Sequence, residues 1–102
     1  MILEVAVLYI KTGEEPAFEK DFSVAGKFIA SAEGYISHSL RKCIEQDHKY
    51  LLLVEWKALE DHTRGFRGSE SYKKWKEILH DYYEPFPVVE HYELIMENHQ
   101  SV

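Results

Sequence analysis

Two stretches of this chain are apolar on both sides of an alternating pattern. In residues 2–10, Val5 and Val7 alternate with Ala6 and Leu8; in residues 50–57, Tyr50, Leu52 and Val54 alternate with Leu51 and Leu53. Successive side chains of a strand point to opposite faces, and a strand buried on both faces loses its polar alternation. Both stretches therefore belong in the middle of a sheet that is covered twice. With 102 residues there is material for one domain, spanning 1–102, and its layers must be few.

The segments between supply one of the two covers. Ile2–Ile10 predicts the first strand, and Thr12-Gly13 a turn. Pro16 suits the opening turn of a helix, where its missing N–H costs nothing. Phe18, Phe22, Ala25 and Ile29 then recur at helical spacing, and Gly34 is expected to cap that helix. Tyr35–Ile44 predicts a second strand with Ile36, His38 and Leu40 on one face and Ser37, Ser39 and Arg41 on the other. Glu45–His48 is a polar hairpin loop. Tyr50–Lys57 is the third strand, and Leu59 to about Gly68 a short helix interrupted by glycine. Ser69 caps a further helix whose buried stripe is Tyr72, Trp75, Leu79 and Tyr82; Pro85 requires it to end. Val88–Met96 is the last strand, and residues 98–102 a frayed tail.

The resulting order, β-α-β-β-α-α-β, is that of two successive β-α-β halves. Right-handed crossovers put every helix on one face of a four-stranded antiparallel sheet. This is the ferredoxin-like α+β sandwich, with the first and third strands central and the second and fourth at the edges. Helices then cover one face only, and no residues remain to cover the other. A second copy of the chain, sheet against sheet, is the expected cover, making a homodimer.

Composition excludes several classes of function. Eighteen acidic against twelve basic residues leave a net charge of −6, the wrong sign for a nucleic-acid partner. Lys73, Lys74 and Lys76 alternate with Glu70 and Glu77 and form a solvated helix face. No apolar run is long enough for a membrane span, and no secretory leader opens the chain. The single cysteine, Cys43, allows neither an internal disulfide nor a thiolate metal site, and near a strand end it suits a small buried filler. His38 and His91 fall on opposite edge strands, too far apart to share an ion. A cytoplasmic protein without a metal or other cofactor is expected.

Residues that can carry chemistry cluster between His62 and Trp75: His62, Phe66, Arg67, Ser69, Tyr72 and Trp75. Val54-Glu55-Trp56-Lys57 leads into Leu59-Glu60-Asp61-His62 and then Phe66-Arg67-Gly68-Ser69. Together with Thr12-Gly13 before Phe18-Glu19, and Gly34-Tyr35 opening the second strand, this pattern resembles the antibiotic biosynthesis monooxygenase domain family over residues 2–96. The resemblance implies a dimeric α/β barrel with a pocket between helices and sheet. It also implies oxygenation of phenols, hydroquinones or anthrones by O2 without flavin or metal. Such chemistry needs a base to make the electron-rich anion, an aromatic-lined cavity that excludes water, and a donor for the developing oxyanion.

Within that frame His62 and His38 are the candidate bases. Phe66, Tyr72, Trp75 and Phe22 are the candidate pocket wall, and Arg67 can steer an anionic substrate. Each has a plainer alternative. Tyr72 and Trp75 also fit an ordinary core, His38 a hydrogen-bonded structural histidine, His62 a half-buried helix residue and Arg67 a solvated surface. The chain departs from the family pattern where Phe66 stands in place of a histidine just before the small turn, with His62 one helical turn earlier. A haem-degrading branch of the superfamily fits poorly. The first strand lacks its asparagine, and Trp75-Lys76 stands near its axial-histidine position. A dimer that binds a small apolar ligand without catalysis, or serves as a structural partner, is the alternative from another class.

Overall fold

In a computed structural model that describes residues 1–100, the elements run β1 (Ile2–Tyr9), α1 (Glu15–Ala30), β2 (Tyr35–Lys42), β3 (Lys49–Trp56), a π-helical segment (Asp61–Phe66), α2 (Glu70–Leu79), a 3₁₀ turn (His80–Tyr82) and β4 (Val89–Glu93). Positions 101 and 102 of the expected tail lie outside the described residues. The sheet order is β2-β3-β1-β4, and every pairing is antiparallel. The doubly apolar strands are thus the inner pair, in the ferredoxin-like arrangement.

Alternation along the central strands separates two environments. Ala6, Leu8 and Ile10 of the first stretch, with Tyr50, Leu52, Val54 and Trp56 of β3, are buried beneath α1 and α2. Phe18, Phe22, Ala25 and Ile29 of α1, and Trp75 and Leu79 of α2, complete this core. Burial of each large apolar side chain contributes about 1.5–3 kcal/mol. On the opposite face Leu3, Val5, Val7, Leu51 and Leu53 are only half-buried. Phe18 anchors the helix layer through edge-on contacts with Phe22, Tyr50 and Tyr82.

Local departures from the sequence expectations have physical causes. α1 stops at Ala30, and Gly34 instead takes a positive φ of +83° in the turn that opens β2. The β2–β3 register slips between Tyr35 and Ser37. That bulge puts Tyr35, not Ile36, across from buried Trp56, beside His38 and Leu40, and leaves Ile36 exposed. The helix expected from Ser69 to the prolines ends as an α-helix at Leu79 and tightens into the 3₁₀ turn. β4 stops at Glu93 because only Val89–Glu93 find partners on β1. Cys43 is half-buried rather than buried.

Gly34 also lies against the Asp61 carboxyl, where a Cβ would collide with it. Asp61 is not free to retreat, since its Oδ2 accepts the Ala58 backbone N–H at 3.1 Å. Gly13 has a similar φ of +87° but open space around it. Gly13→Ala should therefore cost about 1 kcal/mol from backbone strain alone, and Gly34→Ala on the order of 3 kcal/mol, because the clash adds to the strain. Urea denaturation midpoints of the two variants measure the difference.

Candidate active site

The shape of the site begins with a small residue. Ala6 sits between Glu4 and Leu8 on the inward side of β1, and the space it leaves is not filled from above. The result is a cavity of about 390 Å³ between the sheet and the second half of the helix layer. Its floor is Glu4, Ala6, Leu8 and Leu52. Phe66, Tyr72 and Trp75 form one wall, and Tyr83, Phe86 and Val89 the other, with His62, Arg67 and His80 between. The volume is at the low end of the ~300–1,000 Å³ of small-molecule pockets.

The segment after β3 places His62 and Phe66. Its backbone widens to π geometry, with Arg67 N–H donating to the His62 carbonyl at 3.1 Å, a span of five residues. His62 and Phe66 both turn inward and are buried, 4 % and 2 % exposed. Ser69 then starts α2: its hydroxyl donates to the Phe66 carbonyl at 2.6 Å and accepts the Tyr72 N–H at 3.1 Å. One side chain thus locks the end of the π segment to the first turn of the helix that carries Tyr72 and Trp75.

At the polar end of the cavity stands a carboxylate on an otherwise apolar strand face. Glu4 is 4 % exposed, and its Oε1 accepts the Trp56 indole N–H at 2.9 Å. The same oxygen is 3.4 Å from His62 Nε2. Nδ1 of His62 lies 2.8 Å from Nε2 of His91, and the His62 ring stacks on Trp56, 5.3 Å between centroids and 18° between planes. The β1–β4 register sets Glu4 directly opposite His91, so His62 bridges a cross-strand pair.

Burial governs the electrostatics of this group. Desolvation raises the Glu4 pKa, opposed by the Trp56 hydrogen bond and the Arg67 charge. It pushes His62 down to about 3, helped by Arg67 and His91. His91 is lowered by burial and then by Arg67, and His80 by burial and then Lys76, with Asp81 opposing. Tyr83 is raised, by burial first and then by Tyr72 and Glu4. At neutral pH the site therefore holds neutral imidazoles, and Arg67 supplies the positive charge at its mouth.

Of the residues singled out from sequence, the fold brings His62, Phe66, Arg67, Tyr72 and Trp75 around one volume. Tyr72 and Trp75 line it without filling it. Phe22 stands one layer behind, its ring edge-on to Trp75 at 5.4 Å. His38 lies elsewhere, beneath α1, with Nδ1 2.5 Å from the Tyr35 hydroxyl and Nε2 toward Gly26. Sequence reasoning missed Glu4, His80, Tyr83, Phe86 and the approach of His91. The signal for Glu4 was present: it shares the inward parity of Ala6 and Leu8, and a charge at such a position is the informative exception. Among the described residues no group of three His, Cys, Asp or Glu side chains is arranged to hold a metal ion. Among them, too, no helix is long and apolar enough to cross a membrane.

Residues 1–78 match the family model described as antibiotic biosynthesis monooxygenase. The chain belongs to this family. A relative in Bacillus subtilis (strain 168), the uncharacterized protein YczJ, is 57 % identical over 93 residues, covering 91 % of this chain and 98 % of the relative. A Bordetella bronchiseptica crystal structure assigned to antibiotic biosynthesis monooxygenases superposes with a TM-score of 0.89 at 26 % identity, covering 93 % of this chain and 97 % of that one. SnoaB of Streptomyces nogalater, a cofactor-independent oxygenase solved in mutant form, matches the fold with a TM-score of 0.71 at 17 % identity, over 96 % of this chain and 94 % of its own. In this antibiotic biosynthesis monooxygenase family member Glu4 and His62 line the fold's own helix–sheet cavity.

The lowered histidines make stability pH-dependent. A histidine that is harder to protonate when folded costs stability once the unfolded chain begins to take up protons. The contribution of His62 is whole above its ordinary pKa of 6.5 and is lost as pH falls from there toward about 3. His38, His80 and His91 act in the same direction. Glu4, with its pKa raised, acts oppositely: its contribution falls as pH rises from 4.5 through its folded value. Urea midpoints should fall between pH 7 and pH 4, and His62→Gln should flatten that slope. An unchanged slope in the variant would mean that His62 is not the buried neutral group described.

Proposed function

We propose that this protein is a cofactor-independent monooxygenase of a small electron-rich aromatic compound, of the phenol, hydroquinone or anthrone type. The observation that carries the reading is the cavity itself: an aromatic-walled volume that meets the buried Glu4 and His62, with half-buried His91 behind them, at one end and Arg67 at its mouth. Family membership supports the same reaction class.

The chemistry asks for what these residues supply. Ground-state O2 accepts an electron readily only from an electron-rich anion, so the protein first has to hold the substrate ring and remove a proton. Phe66, Tyr72 and Trp75 present faces and edges for ring stacking and keep water from the anion. Arg67 favours the anionic form. The base comes from the group that contains His62; His38 stands away from the cavity. In the net reaction one oxygen atom ends on substrate carbon and the other leaves as water.

The half-buried apolar side of the sheet supports a second part of the reading, that the working unit is a homodimer. Leu3, Val5, Val7, Leu51 and Leu53 there are left half-exposed by the described residues, and a second copy packed sheet to sheet would bury them.

Offered hydroquinones, anthrones and catechols in air, the protein should consume O2 in proportion to substrate and place one atom of labelled O2 in the product. Phe66→Ala and Trp75→Ala should raise KM more than they lower kcat. No protein-dependent uptake across such a panel overturns the oxygenase reading. Sedimentation equilibrium at micromolar concentration should give twice the 12.0 kDa of one chain, and Val5→Asp should return the single-chain mass. A single-chain mass for the unaltered protein would end the dimer claim.

A further inference from the structure

We infer that the atom which takes the substrate's proton is Glu4 Oε2, and that His62 is a positioning residue held between Glu4 and His91. This rests on the oxygenase reading for its substrate class, and on the geometry alone for its choice of base.

Both ring nitrogens of His62 face protein. Nδ1 is 2.8 Å from His91 Nε2, and Nε2 is 3.4 Å from Glu4 Oε1. A neutral imidazole has one donor and one acceptor; His91 engages Nδ1 at hydrogen-bond distance, and Nε2 lies in ion-pair range of the Glu4 carboxyl. The stack on Trp56 and the contact to His91 hold the ring in this orientation, so a proton arriving at Nε2 would disturb its contact with Glu4. Glu4 differs. Its contacts to Trp56 and His62 both run to Oε1, and the residue lines the cavity, leaving Oε2 as the oxygen available to a bound molecule. Desolvation makes this carboxylate a stronger base than an exposed one.

The balance of atoms closes on this one group. For a substrate CH2 activated by its aromatic rings, Glu4 Oε2 takes one proton and leaves the carbanion. The carbanion gives its electrons to O2, a C–O bond forms, and the peroxide anion takes the proton back from Glu4. Glu4 then removes the second hydrogen of the same carbon as the O–O bond breaks. The departing hydroxide takes that proton as water, and a ketone is left: CH2 and O2 become C=O and H2O, with the carboxylate restored. His62 need not change its proton count, which suits an imidazole so resistant to protonation.

The groups facing Glu4 are Trp56 from β3, His62 and Arg67 from the π segment and the turn after it, His91 from β4, and Tyr83 from the connection before β4. Near neutrality Arg67 is the charged one, and it favours the carboxylate. As a base Glu4 works ionised, so kcat/KM should rise with pH along an acid limb that belongs to Glu4.

The test compares Glu4→Gln with His62→Gln on a substrate that the unaltered protein oxygenates. Glu4→Gln keeps an oxygen for the Trp56 N–H and should lower kcat about a hundredfold or more, abolishing the acid limb. His62→Gln should lose less and keep the limb. The reverse ranking, or an acid limb surviving in Glu4→Gln, overturns the assignment while leaving the oxygenase reading intact. A second measurement needs no turnover: infrared difference spectra on binding 4-nitrophenol under argon, at a pH where the free phenol keeps its proton. Binding to the unaltered protein should produce the C=O stretch of a protonated carboxyl group that shifts when glutamate is isotopically labelled, and Glu4→Gln should lack it. If no compound supports O2 uptake but this band appears, the oxygenase reading falls and the proton acceptor stands. Absence of the band in the unaltered protein overturns the proposal.

Discussion

A carboxylate buried under helices must be held, and the Trp56 indole N–H is what holds this one. Glu4 occupies an inward position of a central strand, where its neighbours Ala6 on β1 and Val54 on β3 are buried and apolar. Leaving its oxygens unpaired there would cost several kcal/mol. The 2.9 Å bond from Trp56 satisfies one oxygen and anchors the last residue of β3. The same indole is the platform on which His62 stacks. Strand, π segment and edge strand are thus tied together at one polar point, and the cavity opens beside it.

The architecture follows from unequal cover on the two sides of the sheet. Helices reach only the face that carries Ala6, Leu52 and Val54, and the helix layer itself is asymmetric. Over the β2 side, α1 packs tightly through Phe18, Phe22 and Ile29. Over the β4 side, α2 is short and the chain after it runs through Pro85 and Pro87 as an irregular connection. Aromatic rings, not a helix, close that region: His80, Tyr83 and Phe86 contact one another edge-on or tilted. These rings line the cavity, and the volume beneath them remains open.

Much of the frame was legible in the sequence because hydrophobic periodicity carries it. The doubly apolar strands marked themselves as central, the spacing of Phe18, Phe22, Ala25 and Ile29 marked α1, and Ser69 marked the start of α2. What was not legible depended on single-residue departures from a period. The bulge that exchanges Ile36 for Tyr35 leaves no trace in composition. The widening at Asp61–Phe66 reads in sequence as an ordinary short helix, since glycine weakens any helix. For the site, residues close in sequence were found together, from His62 to Trp75. Those that arrive from other strands, Glu4 and His91, were not, since their meeting depends on the β1–β4 register. His38 illustrates the converse: correct face, wrong half of the sheet.

The π segment binds the length of the chain to its chemistry. Such a turn accommodates one residue more than an α turn, and in an α-helix each residue advances the side-chain direction by about 100°. A homologue that shed one residue between Trp56 and Ser69 would regularise the helix and still cap α2, but its histidine would swing off the tryptophan and away from the carboxylate. Such a protein would keep the hollow, the walls and the carboxylate on β1 while losing the imidazole that sits beside it.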